Sequence, residues 1–140
     1  MAAARNKNRK PSILVGQTDH EKLTRLAEAA AERNPVAAGA LLDELDRAEV
    51  VAEARLRGNV VRMGSTLRYA TETGETRTVT LVYPGEADIA AGKISILTPI
   101  GAALIGLSAG QSIDWQARDG RIHRLSVESV TQPAAEALPA

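Results

Sequence analysis

Apolar side chains recur at two different periods along this chain, and the change falls near residue 58. Before it, Ser12, Ile13, Leu14 and Val15 form a short apolar run that reads as a lead-in strand. Thr18 and Glu21 then have the spacing of a capping box. Leu23, Leu26, Ala27 and Ala30 follow at i, i+3, i+4 and i+7, one face of a helix. Glu21 and Arg25 pair on its outer side. Asn34-Pro35 closes this helix, because proline pushes the preceding residue out of the α region. Leu41, Leu45, Ala48 and Ala52 share a second helical face. Asp43 with Arg47, and Glu53 with Arg57, fall at i,i+4, which predicts a helix running to about Leu56 and stopped by Gly58-Asn59. Residues 12–57 are thus expected to form a short, coiled-coil-like antiparallel hairpin. Helices this short are marginal alone, so the hairpin needs support from the rest of the chain.

From Val60 the pattern becomes strand-like. Residues 60–63, 65–71 and 76–83 are rich in Val, Thr, Leu and Tyr, and the turn residues 72–75 (Glu-Thr-Gly-Glu) join the last two as a hairpin. Pro84-Gly85 breaks the chain before the strand-like residues 93–97. Thr98-Pro99 opens a short helix within residues 98–107, and residues 112–117 and 123–130 are two more strands around the turn 118–121. The expected fold is α+β: a helical hairpin followed by an antiparallel β-sheet domain, residues 58–130, with one short helix. Residues 1–11 hold almost nothing to bury and are expected to be a disordered basic tail; residues 131–140 are expected to be a flexible Ala-rich tail.

The length of 140 residues bounds the chain to one modest domain with a small appendage. The absence of cysteine excludes disulfides and thiolate metal sites, and two histidines leave little for an imidazole site. Tyr69, Tyr83 and Trp115 are the whole aromatic set, too few for a base-stacking platform. No apolar run is long enough to cross a bilayer, so the expectation is a cytoplasmic protein with no membrane contact. A formal net charge of zero hides a polarity. The first ten residues carry Arg5, Lys7, Arg9 and Lys10 with no acid, whereas residues 19–53 carry nine acids against four bases. The basic tail is expected to make a weak, salt-sensitive nucleic-acid contact.

Several tempting motifs fail on context. Residues 106–110 read Gly-Leu-Ser-Ala-Gly, the pattern of a nucleophile elbow around Ser108, with Asp114 or Asp119 and then His123 following. That elbow needs a strand running into a helix on a large parallel sheet, and here a short helix runs into a strand. Residues 101–108 have the glycine spacing of a phosphate-binding loop, but Leu107 replaces its lysine. Asp43, Glu44 and Asp46 offer metal oxygens, yet Asp43 and Asp46 with Arg47 read better as an ion-paired outer face. His20 and His123 read as solvated or packed. No metal, cofactor or catalytic residue is expected.

The run Leu97-Thr98-Pro99-Ile100-Gly101 through Leu107 resembles the Ser-Pro signature of bacterial Gre-type transcript-cleavage factors. With Leu41, Leu42, Glu44, Leu45, Asp46, Arg47 and Ala48, then Val60-Val61, Met63-Gly64-Ser65 and Thr80-Leu81-Val82-Tyr83-Pro84, the chain is similar over residues 12–130 to their smaller relatives, the regulators of nucleoside diphosphate kinase (Rnk). The resemblance implies an FKBP-like C-terminal domain that docks on RNA polymerase at the rim of its secondary channel, through Leu97, Thr98, Pro99, Ile100 and Gly101. It does not carry prolyl isomerase activity, which needs an aromatic-lined pocket. It also implies a hairpin directed towards the channel, its tip being Glu32, Arg33, Asn34 and Pro35. Gre factors bear acidic residues at that tip that help hold a metal ion. One carboxylate, Glu32, beside Arg33 is a poor cation ligand, so the expected protein is a non-enzymatic, polymerase-binding transcription regulator without cleavage stimulation. Any effect on nucleoside diphosphate kinase would be indirect, through transcription. The alternatives are an active Gre-like elongation factor and a small serine hydrolase built on Ser108.

Overall fold

The computed structural model describes residues 10–117 and 119–132. The expected disorder of the two tails concerns mostly residues 1–9 and 133–140, which lie outside the described residues. The chain opens with β1 (Leu14–Gly16), which runs directly into α1 (Gln17–Ala30). Residues 31–34 turn the chain, and α2 (Pro35–Arg47) returns. Pro35 therefore opens the second helix instead of closing the first: at the first helical position its missing N–H costs no bond.

Two boundaries differ from expectation. The capping box does not form. Gly16 is the N-cap, and the Thr18 amide donates to the carboxylate of Glu53, 35 residues away, while Glu21 faces Arg25 at 3.9 Å. The second helix ends at Arg47, well before Leu56, because Ala48 turns extended and the β-branched Val50 and Val51 enter β2 (Glu49–Val51). This strand pairs in parallel with β1, Leu14 against Glu49 and Gly16 against Val51, and so closes the base of the hairpin. Glu53 then lies in a single 3₁₀ turn, Glu53–Arg55, where its carboxylate reaches α1; it is not a helical partner of Arg57.

The second half is a five-stranded sheet built from β3 (Thr66–Thr71), β4 (Thr76–Val82), β5 (Lys93–Ser95), β6 (Ser112–Gln116) and β7 (Ile122–Thr131), in the order β5-β4-β3-β7-β6. It is antiparallel except at one edge, where β5 pairs in parallel with β4, so the sheet is mixed. Residues 60–63 do not form a strand: Val60 bridges to Ser108 and Val61 exchanges backbone hydrogen bonds with Gly106 and Leu107, in the segment that follows the short helix α3 (Pro99–Leu104), and both valines are buried. A bulge between Arg68 and Tyr69 shifts the β3–β7 register, and Arg68 meets Glu128 there at 3.1 Å. Gln132 fastens the end of β7 by donating to the carbonyls of Gly58 and Val60 and accepting from buried Ser65.

One core joins both halves. Leu23, Ala27, Leu41 and Leu45 of the hairpin share a buried cluster with Leu104 and Ile113. The hairpin thus lies against the sheet domain, with α2 packed on α3 and α3 on β6.

Candidate functional site

The segment Leu97–Gly101 is a tightly bonded corner between β5 and α3. Ser95 Oγ accepts from the Leu97 amide at 2.9 Å, and Thr98 Oγ1 donates to the Ser95 carbonyl at 2.7 Å. The same Thr98 oxygen accepts from the Gly101 amide at 3.1 Å, a side-chain cap on a helix whose first residue is Pro99. Glycine at 101 is a steric requirement, since a Cβ there would lie 2.1 Å from the Ser95 carbonyl oxygen. Leu97, Thr98, Pro99 and Ile100 remain half-buried, with Leu97 and Ile100 packed on the core, and everything from Gly101 to Leu107 is buried. A rigid base therefore presents four partly exposed side chains.

The hairpin tip is open. Glu32, Arg33, Asn34 and Pro35 are all exposed, the turn being closed by the Asn34 amide on the Ala30 carbonyl at 2.8 Å. Val36, the next residue, is 81% exposed, so an apolar side chain sits beside the turn. The structure brings the tip and the corner together: Asn34 and Pro99 border one groove of about 590 Å³.

Glu44 is a residue whose role the sequence did not reveal. It is 5% exposed, and it takes the Arg47 pairing that the sequence assigns to the outer-face acids Asp43 and Asp46. Its two oxygens receive Lys10 at 3.0 Å and Arg47 at 2.8 Å, and Arg47 also donates to the Pro11 carbonyl. Arg47 thus pairs at i,i+3 with Glu44 in place of Asp43. A buried carboxylate needs such partners, but Lys10 is 34 residues distant, and no local spacing signals the contact. His20 is packed, its ring donating through Nε2 to the Leu45 carbonyl at 3.1 Å.

The serine-hydrolase constellation does not assemble. Asp114 is forked by Arg124 at 2.7 and 3.2 Å, and His123 bonds Glu72 at 3.0 Å and lies tilted against Trp115, ring centroids 5.5 Å apart. The Ser108 amide is held by Gln111 in a turn between α3 and β6. Among the described residues no group of three metal-ligating side chains gathers, and no helix is long and apolar enough to cross a membrane.

Residues 56–132 match the family model described as transcription elongation factor, GreA/GreB, C-term, and residues 11–51 match Rnk N-terminus. The chain is 36% identical over 128 residues to the regulator of nucleoside diphosphate kinase of Escherichia coli K12, covering 90% of this chain and 94% of that relative. The chain belongs to the Rnk family. Within the wider Rnk and Gre group, it is 42% identical over 108 residues to transcription elongation factor GreA of Rhodospirillum rubrum, covering 73% of this chain and 69% of that one. The structure of a prokaryotic transcription elongation factor GreA/GreB from Nitrosomonas europaea superposes with a TM-score of 0.68 at 38% identity, covering 86% of this chain and 99% of that one. An Rnk-family chain is thereby a Gre-type transcription factor in fold and kinship, related to a regulator of nucleoside diphosphate kinase. Residues 1–10 fall outside both matched regions.

Proposed function

We propose that this protein binds RNA polymerase at the rim of the secondary channel through Leu97, Thr98, Pro99 and Ile100, with Gly101 fixing their backbone, and regulates transcription without stimulating transcript cleavage. The observation that supports docking is the Thr98 cap on Pro99, which holds a half-buried apolar corner in one conformation within a Gre-type domain. Preorganisation of this kind lowers the ordering cost of association. The observation that argues against cleavage is the hairpin. Its first helix has 14 residues, a length of about 21 Å, and its tip offers one carboxylate beside an arginine. A Mg²⁺ ion is usually held by one or two carboxylates plus substrate oxygens in octahedral geometry, and Arg33 opposes that charge. An influence on nucleoside diphosphate kinase would then follow indirectly from altered transcription.

Pull-down with RNA polymerase tests docking. Replacing Thr98 and Pro99 together weakens capture while leaving the fold in place, whereas equal loss of fold and capture assigns the pair to structure alone. Stalled elongation complexes test the second half. The protein alone adds no cleavage, yet suppresses cleavage driven by a Gre factor as its concentration rises. Robust cleavage that disappears in Glu32→Ala would establish an active elongation factor instead.

A further inference from the structure

The stretch that joins the hairpin to the sheet has a charge pattern of its own. Residues 54–71 carry four arginines, Arg55, Arg57, Arg62 and Arg68, and no acid, whereas residues 19–53 before them carry nine acids against four bases. Arg68 is paired with Glu128. Arg55 and Arg57 are exposed and Arg62 is half-buried, and none of the three makes an ion pair among the described residues. Two acids lie beside this stretch, Glu53 in sequence and Asp19 in space, and backbone amides hold both. Glu53 accepts from the Thr18 amide, and Asp19 from the Met63 amide at 3.4 Å.

The frame beneath these arginines is pinned. Arg55 ends a 3₁₀ turn, its amide donating to the Ala52 carbonyl at 2.8 Å. The Val60 amide closes a turn on the Arg57 carbonyl at 3.2 Å. The Arg62 amide donates to Ser65 Oγ at 2.8 Å, and the Ser65 amide returns to the Arg62 carbonyl at 3.0 Å. Between them, Gln132 Nε2 holds the Gly58 and Val60 carbonyls, each at 2.9 Å. Three cations without counter-ions therefore stand on a backbone that needs no ordering to receive an anion.

We propose that Arg55, Arg57 and Arg62 bind the phosphate backbone of a nucleic acid at the base of the hairpin. The chemistry favours phosphate over an acidic protein surface. A protein interface is built around an apolar centre, and none of the large exposed apolar side chains, Val36, Val50, Ile89 and Ile122, falls in this stretch. All three cations are arginines, whose planar fork matches phosphate oxygens in pairs. Tyr69, the one aromatic residue of 54–71, is buried, so bases find no stacking surface there and the contact reads backbone alone. The contact stands on the linker itself and holds whether or not the polymerase reading does.

Fluorescence anisotropy with a labelled single-stranded RNA of about 20 nucleotides tests it. In the linker variant Arg55, Arg57 and Arg62 are changed together to Gln. A comparison variant changes Arg77, Lys93 and Arg121 to Gln, which removes equal charge from exposed side chains that also make no ion pair among the described residues. Three phosphates neutralised by the parent chain give log K a slope of about −2 against log salt. The linker variant loses affinity at least about tenfold at low salt, and its slope falls towards zero. The comparison variant stays within about twofold at about 0.1 M salt, where charges beyond about 10 Å are screened. Thermal midpoints of both variants match the parent's, because no partner is lost. Equal weakening of both variants, or no salt-dependent binding by the parent chain, overturns the proposal. So does a loss confined to a variant with Arg5, Lys7 and Arg9 changed to Gln, which returns the contact to the basic tail. Unchanged RNA binding by the linker variant together with weakened capture of RNA polymerase also overturns it, and assigns the three arginines to an acidic protein surface.

Discussion

Two glycines that look alike in sequence behave oppositely in the structure. A Cβ at Gly101 would meet the Ser95 carbonyl at 2.1 Å and the Ile96 Cα at 3.0 Å, both backbone, which cannot swing aside. Gly101→Ala is expected to cost about 1–3 kcal/mol as overpacking and to loosen the Thr98 cap. Gly39, inside α2, has nothing within 4 Å of the same position. Gly39→Ala should stabilise by about 0.5–1 kcal/mol, and urea unfolding of the pair measures both signs. Asp19 gives a charge-based contrast. Burial raises its carboxyl above the usual range, opposed by the Met63 amide and then Arg62. For a raised acid, stability is fully present below its unfolded value, near pH 4, and is lost as pH rises through the folded value. Asp19→Asn keeps an oxygen for the Met63 amide, so it should raise the unfolding midpoint at pH 7. The gain should vanish once the medium is acid enough to protonate Asp19 in both states.

At the scale of elements, what was legible was whatever depends on neighbours within a few residues. The face Leu23, Ala27, Ala30 is buried as its spacing predicts, Thr98-Pro99 starts a helix, and the 72–75 turn joins β3 to β4. The α1 cap was not legible, because its acceptor comes from Glu53. Nothing near Thr18 announces that a carboxylate will arrive from beyond α2. Gly16 makes room for it: a Cβ there would stand 2.6 Å from Glu53 Oε2. The end of α2 was missed for a related reason. Ala48 and Ala52 continue a helical face, but pairing of Val50 and Val51 with β1 overrides that periodicity. The bond from Thr18 holds the Glu53 carboxyl below its usual range. A depressed acid stabilises above its unfolded value, about 4.3, and loses that contribution as pH falls through its folded value. Glu53→Gln should therefore unfold at a lower temperature than the parent at pH 7, and the two melting curves should converge in acid. Gly16→Ala should show the same convergence, because its methyl displaces the carboxylate from the helix end.

For the whole molecule the decisive fact is the shared core. Leu41 is fully buried on α2 among residues that also contact the sheet domain. Leu41→Ala is expected to cost about 2–5 kcal/mol and to lower a single transition, with helix and sheet signals melting together; two separated transitions would show that the halves fold apart. The corner at Thr98 was legible in the sequence, whereas its proximity to Asn34 was not, since only packing of α2 on α3 brings the two together. The β1–β2 clasp has a consequence of its own. The hairpin leaves and rejoins the body at two adjacent strands, so it is a closed excursion with a fixed origin. Equal insertions on either side of residues 31–34, in steps of seven that roughly preserve each helical face, would move the tip outward by about 10 Å per step. Neither clasp nor core would change. The hairpin is in this sense a ruler whose zero mark is welded to the sheet and whose length is set at one turn alone.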